Sequence, residues 1–494
     1  MNLLSRPLSL LLPLAVAIPV GAIYAIIASS GYYKWAMVIY AGILGLGGLA
    51  LFHILKITLR PTYLLGALYM TPILFDINFM YVDDPLFYVH ANGYGITITD
   101  VLFGMLIFLW IMDGLAGKKG IDLQIPKPLK VAMAGLFIIN ALSTATTPHP
   151  FYALSMLWAQ AKVYIIFWYL AKQVYSTNVI RWVIYTSAAI VATQGVIVLE
   201  QRLLGVIFTA ELLGQNTTWA STIGSELVTR VSGTMGQPNA LAMLMNEFML
   251  ITIFGMMVER HLGIKILLII AILLAVIGEI FTASRGGWLS LATAFIVCFV
   301  MWLTLKRGYG FFSSVSLIGI VGSTLFGILF GASEAFRNRL TQDDAGTAEV
   351  RWPLMEVAQN LIAANPLTGV GLNHYTYFMQ LYDRTFDAIS FNYRAPVHNT
   401  YMLVAGEVGI PGSLLMIFIL VSVLFCAYKV FRATQGYEAA FALGVFGGVL
   451  TWMLHNMVDP TSIYADYPFW ILAGITVAMY TRMKLEKQKG APLA

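Results

Sequence analysis

Residues 264–283, IKILLIIAILLAVIGEIFTA, form an apolar run of 20 residues in which only Lys265 and Glu279 are charged. A helix of about 20 apolar residues spans the hydrocarbon core of a bilayer. The short polar turn Ser284-Arg285-Gly286 follows, and a second apolar run occupies 287–305. Two long apolar runs joined by so short a turn predict an antiparallel pair of transmembrane helices.

Similar apolar runs recur along the whole chain. Of its 494 residues, 59% are apolar and 11% are charged, whereas a soluble domain has about 25% charged residues. We therefore predict an all-α polytopic membrane protein, a single membrane domain over 1–494 with about 14 transmembrane helices, in a range of about 12 to 14. The predicted spans are 9–29, 36–55, 62–80, 99–116, 131–146, 153–172, 182–200, 237–257, 264–283, 287–305, 311–331, 400–427, 437–456 and 467–481.

The basic residues predict the orientation of the chain. With the N-terminus in the cytoplasm and the spans alternating, 19 of the 29 Lys and Arg residues fall on the inner side and nine on the outer side. Five of those nine lie in one loop longer than about 60 residues, where charge has little influence on insertion. Both termini are therefore expected in the cytoplasm. Eight of the nine outer residues are arginine, whose guanidinium binds phosphate bidentately.

Two outer loops, 201–236 and 332–399, are long enough to contribute to a site. In the second loop, apolar residues recur at helical spacing between Pro353 and Asn365-Pro366, which predicts an amphipathic helix. Two interpretations of this helix are open. It lies on the membrane surface or over a cavity, or it is a plain packing helix.

Polar residues gather where the outer loops meet the predicted spans. Four segments carry most of them: Arg230-Val-Ser-Gly233-Thr-Met-Gly236-Gln-Pro-Asn239, Thr282-Ala-Ser284-Arg285-Gly286, Asn365-Pro366-Leu-Thr-Gly369-Val-Gly371 and His398-Asn399-Thr400-Tyr401. In this order, they resemble the bacterial O-antigen ligase/polymerase superfamily of membrane glycosyltransferases. The resemblance covers about 225–410, which would then be the catalytic region, with the loop 332–399 inside it.

The resemblance implies a metal-independent, inverting glycosyl transfer without a cofactor. The donor would be a glycan on undecaprenyl diphosphate, and the acceptor a sugar hydroxyl of a glycan or glycolipid, either a lipid A core or a lipid-linked repeat unit. The site would face the periplasm from the bacterial cytoplasmic membrane, in lipopolysaccharide or exopolysaccharide biosynthesis. No nucleic acid is expected as a partner.

Roles for individual residues also follow from the resemblance. His398 would be the general base, and the donor diphosphate would bind Arg230, Arg285 and, deeper in the cavity, Lys162. The supporting residues would be Asn239, Ser284, Asn399, Gly369 and Gly371.

General chemistry agrees with such a set of residues. A hydroxyl attacking an anomeric carbon needs a base that works near neutral pH, and histidine is the usual one. The departing diphosphate needs fixed positive charge, which arginine supplies. The outer loops contain no Asp-x-Asp pair to hold a metal ion, and the two cysteines, Cys298 and Cys426, lie in apolar runs.

Structural roles remain open for the same residues. His398 would then be an interface histidine bonded to backbone, and the arginines would reach lipid phosphates. Asn239 and Asn399 either hold a loop or orient the base. His374 is a spare candidate base, and His455, with Asn456 and Asp459, is a candidate for a supporting role on the outer side.

Three functions remain open at this stage. A ligase moves a finished glycan from its carrier to a different acceptor, and a polymerase moves a growing chain onto another lipid-linked unit. Both use the same chemistry. A secondary transporter would instead use buried charges such as Lys162, Glu247 and Asp113 as ion-coupling sites, but the chain shows no paired halves.

Lys162 is predicted to lie in the middle of a span, at a depth similar to that of Glu247. A charge at that depth is costly and is usually paired or functional. If the two residues only pair, the double variant Lys162→Glu, Glu247→Lys should restore both folded yield and activity lost in the single variants. If Lys162 binds the donor, the double variant should recover folded yield alone, as measured by size-exclusion chromatography and a transfer assay.

Overall fold

The computed structural model describes residues 124–173, 175–204, 226–332, 334–341 and 349–490, the strands at 78–80, 95–97 and 218–223, and a few residues between 104 and 111. The first four predicted spans lie almost entirely outside these residues. The chain divides into two compact units, and every helix labelled below belongs to the second, which contains Lys118–Ala494.

The described residues of the second unit form helices and one hairpin, and two further short strands lie mostly in the residue ranges of the first unit. The elements are β1 (Asn78–Met80), β2 (Gly95–Thr97), α1 (Lys127–Thr146), α2 (Pro150–Ala171), α3 (Thr177–Leu204), β3 (Thr218–Ile223), β4 (Glu226–Val231), α4 (Pro238–Val258), α5 (Leu262–Thr282), α6 (Arg285–Arg307), α7 (Phe311–Ala332), α8 (Glu334–Thr341), α9 (Arg351–Ala364), α10 (Tyr375–Phe378), α11 (Ile389–Asn392), α12 (Thr400–Ala433), α13 (Gly436–His455) and α14 (Tyr467–Lys489). A short 3-10 helix occupies Met379–Tyr382.

The long helices confirm an all-α, multi-pass membrane protein. Each predicted span from 131–146 to 467–481 coincides with a helix. Within the described residues, eight helices are long and apolar enough to cross a membrane, namely α1 to α6, α12 and α13. Proline in the first turn starts several of them, including α2 at Pro150 and α4 at Pro238, because its fixed φ suits a helix start and it lacks only an N–H that would have no partner there.

A hairpin within the loop 201–236 was not predicted. Strands β3 and β4 pair antiparallel, with Thr218 opposite Val231 and Trp219 opposite Arg230. The sequence signal is a run rich in β-branched residues on either side of Gly224-Ser225. The hairpin matters for the site because Arg230 is the penultimate residue of β4 and is therefore held at a fixed distance from the start of α4.

Glycines bring α13 against α4 at the centre of the unit. A Cβ placed on Gly444 would lie 2.5 Å from the Cα of Ile251, and one on Gly448 would lie 3.2 Å from the carbonyl oxygen of Glu247. Small residues allow helices to approach this closely in membranes, where packing drives association. The approach positions the end of α13 at His455 beside the helices that form the pocket described below.

Helix α12 is broken near its start, which explains the unusual length of the predicted span. Val408 and Gly409 have non-helical backbone angles, and Pro411 follows inside the helix. The carbonyl of Glu407 has no helical donor because Pro411 lacks an N–H. Gly371 N donates to that carbonyl instead, at 2.8 Å.

Two further backbone hydrogen bonds complete this contact. Val370 N donates to the carbonyl of Gly406, and Ile410 N donates to the carbonyl of Pro366, both at 2.8 Å. We call this set of three bonds between 366–371 and 406–410 the loop clamp. It gives the Asn365-Pro366-x-x-Gly369-x-Gly371 segment a structural role, since the glycine-containing turn satisfies the backbone groups that the break in α12 exposes.

Helix α9 confirms the helix predicted in the long loop, with Pro353 in its first turn and Asn365 as its C-cap. The apolar residues of one face are fully buried, in a cluster that also includes residues of the same loop and of α12. The cluster is Leu354, Val357, Ala358, Leu361, Tyr375, Met379, Val397 and Leu403. The apolar face is therefore covered by protein, as expected for a packing helix.

The loop clamp predicts a large difference between two glycine variants. Gly369 and Gly436 both have positive φ, of 65° and 56°, but a Cβ on Gly369 would lie 2.2 Å from the carbonyl carbon of Glu407, whereas one on Gly436 meets nothing within 4 Å. Gly436→Ala should cost only the left-handed strain, about 1 kcal/mol. Gly369→Ala should cost roughly 2 kcal/mol more through overpacking. Thermal unfolding of the purified variants in detergent tests this, and equal melting temperatures would contradict the clamp.

Candidate active site

A polar pocket lies where the start of α6, the start of α9 and the segment after α13 meet. It encloses about 310 Å³ of space, part of it open to solvent. Its lining contains four arginines and one aspartate. The lining residues are Arg230, Asn239, Ser284, Arg285, Gly286, Arg339, Arg351, His455, Val458 and Asp459.

The turn between α5 and α6 forms one wall of the pocket. Ala283 adopts the left-handed conformation that ends α5, and the Ser284 side chain caps α6 by accepting a hydrogen bond from Gly287 N at 3.2 Å. Arg285 is then the first residue of α6. Because Ser284 caps the helix, the next residue, Arg285, begins α6 and lies at the turn between α5 and α6.

Arg230 is held by two hydrogen bonds from its guanidinium. Its Nε donates to the carbonyl of Thr282 and its Nη2 to Oδ1 of Asn239, both at 2.8 Å. Burial and the neighbouring arginines, first among them Arg339, lower the pKa of Arg230 to about 10. Arg230 therefore stays charged at neutral pH, although its surroundings disfavour the charge.

The long loop contributes two arginines that the sequence analysis did not select. Arg339, on α8, is buried and its Nε donates to the carbonyl of Ala283 at 2.9 Å. Arg351 is the first residue of α9, and its buried Nε has no acceptor among the residues that the structure describes. Their only sequence signal was the excess of arginine over lysine in the outer loops.

Asp459 is the one carboxylate in the pocket lining. Burial raises its pKa to about 6, while Arg351, Asn239 and Arg230 act in the opposite direction. At neutral pH the carboxylate is mostly ionised and offsets part of the arginine charge. Asn239 contacts both Arg230 and Asp459, so its supporting role is to join the cation to its counter-ion.

His398 lies outside the pocket lining but within electrostatic reach of Arg351. It is half-buried, and its buried Nδ1 has no hydrogen-bond partner among the described residues. Burial, and after it repulsion from Arg351, lower the pKa of His398 to about 4. The imidazole is therefore neutral at pH 7 and able to accept a proton.

Asn399 fixes the position of His398 by capping α12. Its Oδ1 accepts from Met402 N at 3.0 Å, and its Nδ2 donates to the carbonyl of Met457 at 3.2 Å. Thr400 adds two bonds to Asn456, one from its backbone N and one from its hydroxyl. The start of α12 is thus tied to the segment after α13 that carries Asp459.

The remaining residues selected from the sequence lie elsewhere. Gly369 and Gly371 belong to the loop clamp. Lys162 is buried on α2, with its Nζ 6.0 Å from the ring centre of Tyr467, and does not line the pocket. His374 is fully buried and its Nδ1 lies 2.7 Å from the carbonyl oxygen of Leu372. Of the residues selected from the sequence, the pocket lining brings together Arg230, Asn239, Ser284 and Arg285, and with them the supporting candidates His455 and Asp459.

The arrangement suits a small polyanion. Cationic side chains in the lining outnumber anionic ones by three, and like charges held together in a partly buried pocket repel one another. A phosphate-bearing ligand would relieve that repulsion and form the charge-assisted hydrogen bonds that guanidinium groups make best. Among the described residues, no group of three or more His, Cys, Asp and Glu side chains is placed to hold a metal ion.

A known protein family matches part of the chain that forms the pocket. Residues 269–417 match the family described as O-antigen ligase. They carry an O-antigen ligase domain. The match confirms the resemblance to the O-antigen ligase/polymerase superfamily, whose members are glycosyltransferase-type membrane enzymes that use lipid-linked glycans. The domain includes Arg285, Arg339, Arg351 and His398, whereas Arg230 and Asn239 precede it.

Two further comparisons add little. No curated protein matches the chain. One similar solved structure is described as structural coordination of polymerization and crosslinking by a peptidoglycan synthase complex, at 14% identity and a TM-score of 0.37, covering 72% of this chain and 97% of that one. A similarity of that size does not bear on function.

The electrostatics of the O-antigen ligase domain predict a pKa change in His398. Arg351→Gln removes a positive charge that disfavours the protonated imidazole, so the pKa of His398 should rise from about 4 by on the order of one pH unit. Labelling by diethyl pyrocarbonate, which attacks neutral imidazole, can be measured at His398 by peptide mass spectrometry between pH 5 and 8. The variant should lose labelling near pH 5, while wild type and the exposed-loop control Arg394→Gln should not. Identical profiles would show that Arg351 does not act on His398.

Proposed function

We propose that this protein is a surface-polysaccharide ligase. It transfers a glycan from undecaprenyl diphosphate to an acceptor sugar hydroxyl, such as one on a lipid A core, at the outer face of the cytoplasmic membrane. The observation that carries the proposal is the convergence of four arginines from separate segments on one pocket, beside a neutral histidine. The O-antigen ligase match over 269–417 supports it.

In this proposal the arginines bind the donor diphosphate. Arg230 and Arg285 come from the hairpin and the Ser-Arg-Gly turn, and Arg339 and Arg351 come from the long loop. Their charge is fixed before the reaction, so it stabilises the negative charge that develops as the glycosidic bond breaks. Removing one such contact typically costs about 100-fold in rate or more.

His398 acts as the general base. Its neutral imidazole takes the proton of the acceptor hydroxyl as the oxygen attacks the anomeric carbon from the face opposite the diphosphate. The bond between that carbon and the phosphate oxygen breaks, and the diphosphate leaves with the electron pair, which inverts the configuration. A pKa of about 4 makes a weak base, but a bound diphosphate would offset the charge of Arg351 and raise that pKa toward the working pH.

The distribution of basic residues supports a periplasmic site. Both termini lie in the cytoplasm, and Arg230, Arg285, Arg351 and His398 then belong to outer loops or outer ends of spans. The long loop that carries α9 lies over the pocket and lets the polyprenyl tail enter from the bilayer side.

A repeat-unit polymerase remains the alternative, because it would use the same donor, base and arginines. The acceptor alone differs, and the O-antigen ligase match is compatible with both. Secondary transport is less well supported, since the polar residues that converge are an arginine cluster and a histidine at one end of the spans.

The lipid-carrier pool tests the proposal. In a strain deleted for the gene and complemented with His398→Ala, long glycans should accumulate on undecaprenyl diphosphate, because polymerisation continues while transfer fails. Glycan size is measured on the extracted carrier lipid. The control is His261→Ala, an exposed histidine preceding α5, which should restore the wild-type pool.

Each other outcome has a distinct meaning. Single repeat units accumulating on the carrier would contradict the ligase and identify a polymerase. A wild-type pool in the His398→Ala strain, with the variant present in the membrane, would remove His398 from the mechanism and favour transport.

A further inference from the structure

The first turn of α6 points into the arginine pocket, which is lined by Ser284, Arg285 and Gly286. The first N–H groups of a helix have no acceptor within the helix and carry part of the positive end of its dipole. The side chain of Ser284 accepts a hydrogen bond from the third of these N–H groups, that of Gly287. Within the part of the chain that the structure describes, the N–H of Gly286 makes no hydrogen bond, so it is available to an anion at this wall of the pocket.

A buried histidine faces the same turn. His455 is the last residue of α13, is 2% exposed, and lines the pocket. Its Nδ1 is buried and has no hydrogen-bond partner among the described residues. Because Nδ1 is enclosed by protein, a ligand in the pocket would meet the ring at Nε2, the ring nitrogen nearer Gly286.

Gly286 sets the distance between the helix start and this histidine. A Cβ on Gly286 would lie 3.5 Å from Cδ2 and 3.6 Å from Nε2 of His455, and 2.8 Å from Cγ2 of Val458. Any side chain at this position would fill the space between the imidazole and the first turn of α6. The glycine thus keeps open a gap bordered by a backbone N–H and an imidazole.

The histidine is also held firmly. Its carbonyl accepts hydrogen bonds from Val458 N and Asp459 N, and the next residue, Asn456, is bonded to Thr400 at the start of α12. Because the backbone of His455 is fixed in this way, its imidazole needs little reorganisation when a ligand binds, and this favours tight binding.

We propose that His455 and the N-terminus of α6 form a phosphate subsite. One phosphate of the donor accepts hydrogen bonds from the Gly286 N–H and the His455 imidazole, while the second phosphate lies among Arg230, Arg339 and Arg351. The inference deepens the proposed function by dividing the diphosphate between two subsites, and it rests on that function only for the identity of the lipid. His455 is accordingly a binding residue, whereas His398 remains the base.

Two probes test the subsite, inorganic pyrophosphate and undecaprenyl diphosphate, each added to purified full-length protein in detergent. Dissociation constants are measured by isothermal titration calorimetry. His455→Leu should weaken binding of both probes by about 10- to 100-fold. His455→Gln, which keeps an N–H donor, should recover most of the affinity. His261→Leu is the matched control and should bind as wild type does.

A second variant protects the test against misfolding of His455→Leu. Gly286→Ala leaves the imidazole in place but occupies the gap, so it should also weaken pyrophosphate binding. The melting temperature of the unliganded protein should fall only modestly, because the added methyl group presses mainly on one atom of the exposed Val458 side chain. A His398→Ala variant should bind both probes with wild-type affinity, because the base does not hold the diphosphate.

The outcomes separate this inference from the proposed function. Unchanged binding of pyrophosphate by folded His455→Leu and Gly286→Ala would overturn the subsite, even if His398→Ala still blocks glycan transfer. Binding of pyrophosphate that depends on His455, in a protein that transfers no glycan from undecaprenyl diphosphate, would support the subsite and contradict the proposed function. Failure of wild type to bind either probe would overturn the subsite as well.

Discussion

The three backbone hydrogen bonds of the loop clamp hold the rest of the candidate site in place. The break at Val408 and Gly409, followed by Pro411, leaves carbonyl groups of α12 without helical donors. In an apolar environment such groups are costly, so Val370 and Gly371 from the long loop bond to them. The backbone of the long loop is thereby bonded directly to a transmembrane helix.

Together with the packing of α9 on α12, the loop clamp positions two candidate site residues from opposite ends of the same segment. Helix α9 runs from Arg351, in the pocket, to Asn365, beside the clamp, and its apolar face packs on the loop and on α12. The loop then returns to His398 and the cap of α12 at Asn399. His398, the proposed base, and Arg351, which lowers its pKa, are therefore positioned by one packing arrangement, so in the proposed mechanism an anion bound at Arg351 would raise the basicity of His398.

Much of the fold follows from local rules that the sequence displays. Apolar length predicts the helices from 131 onward, Asn399 and Ser284 cap helices as their residue types suggest, and the outer ends of the spans bring Arg230, Asn239, Ser284 and Arg285 together. These features depend on contacts between chain neighbours or on the thickness of a bilayer.

The residues missed by the sequence analysis share a different physical origin. Arg339 and Arg351 reach the pocket through packing between distant segments, and no local pattern distinguishes them from other loop residues. Gly369 and Gly371 stand in a motif that suggested a supporting role in the site, but their neighbours show that the backbone of α12 requires them. The sequence pattern shows which residues form a motif, whereas their burial and hydrogen-bond partners show what those residues do in the structure.

The most direct test of the central claim is to locate the donor diphosphate by photocrosslinking. An undecaprenyl diphosphate carrying a diazirine in the isoprene unit next to the phosphate is irradiated with the purified protein, and the modified peptides are identified by mass spectrometry. The account predicts that crosslinks fall in 230–239, 283–287, 339–351 and 455–459, and that excess pyrophosphate suppresses them. Crosslinks that concentrate around Lys162 and Tyr467, or at the opposite ends of the spans near Glu259, and that persist in pyrophosphate would contradict it.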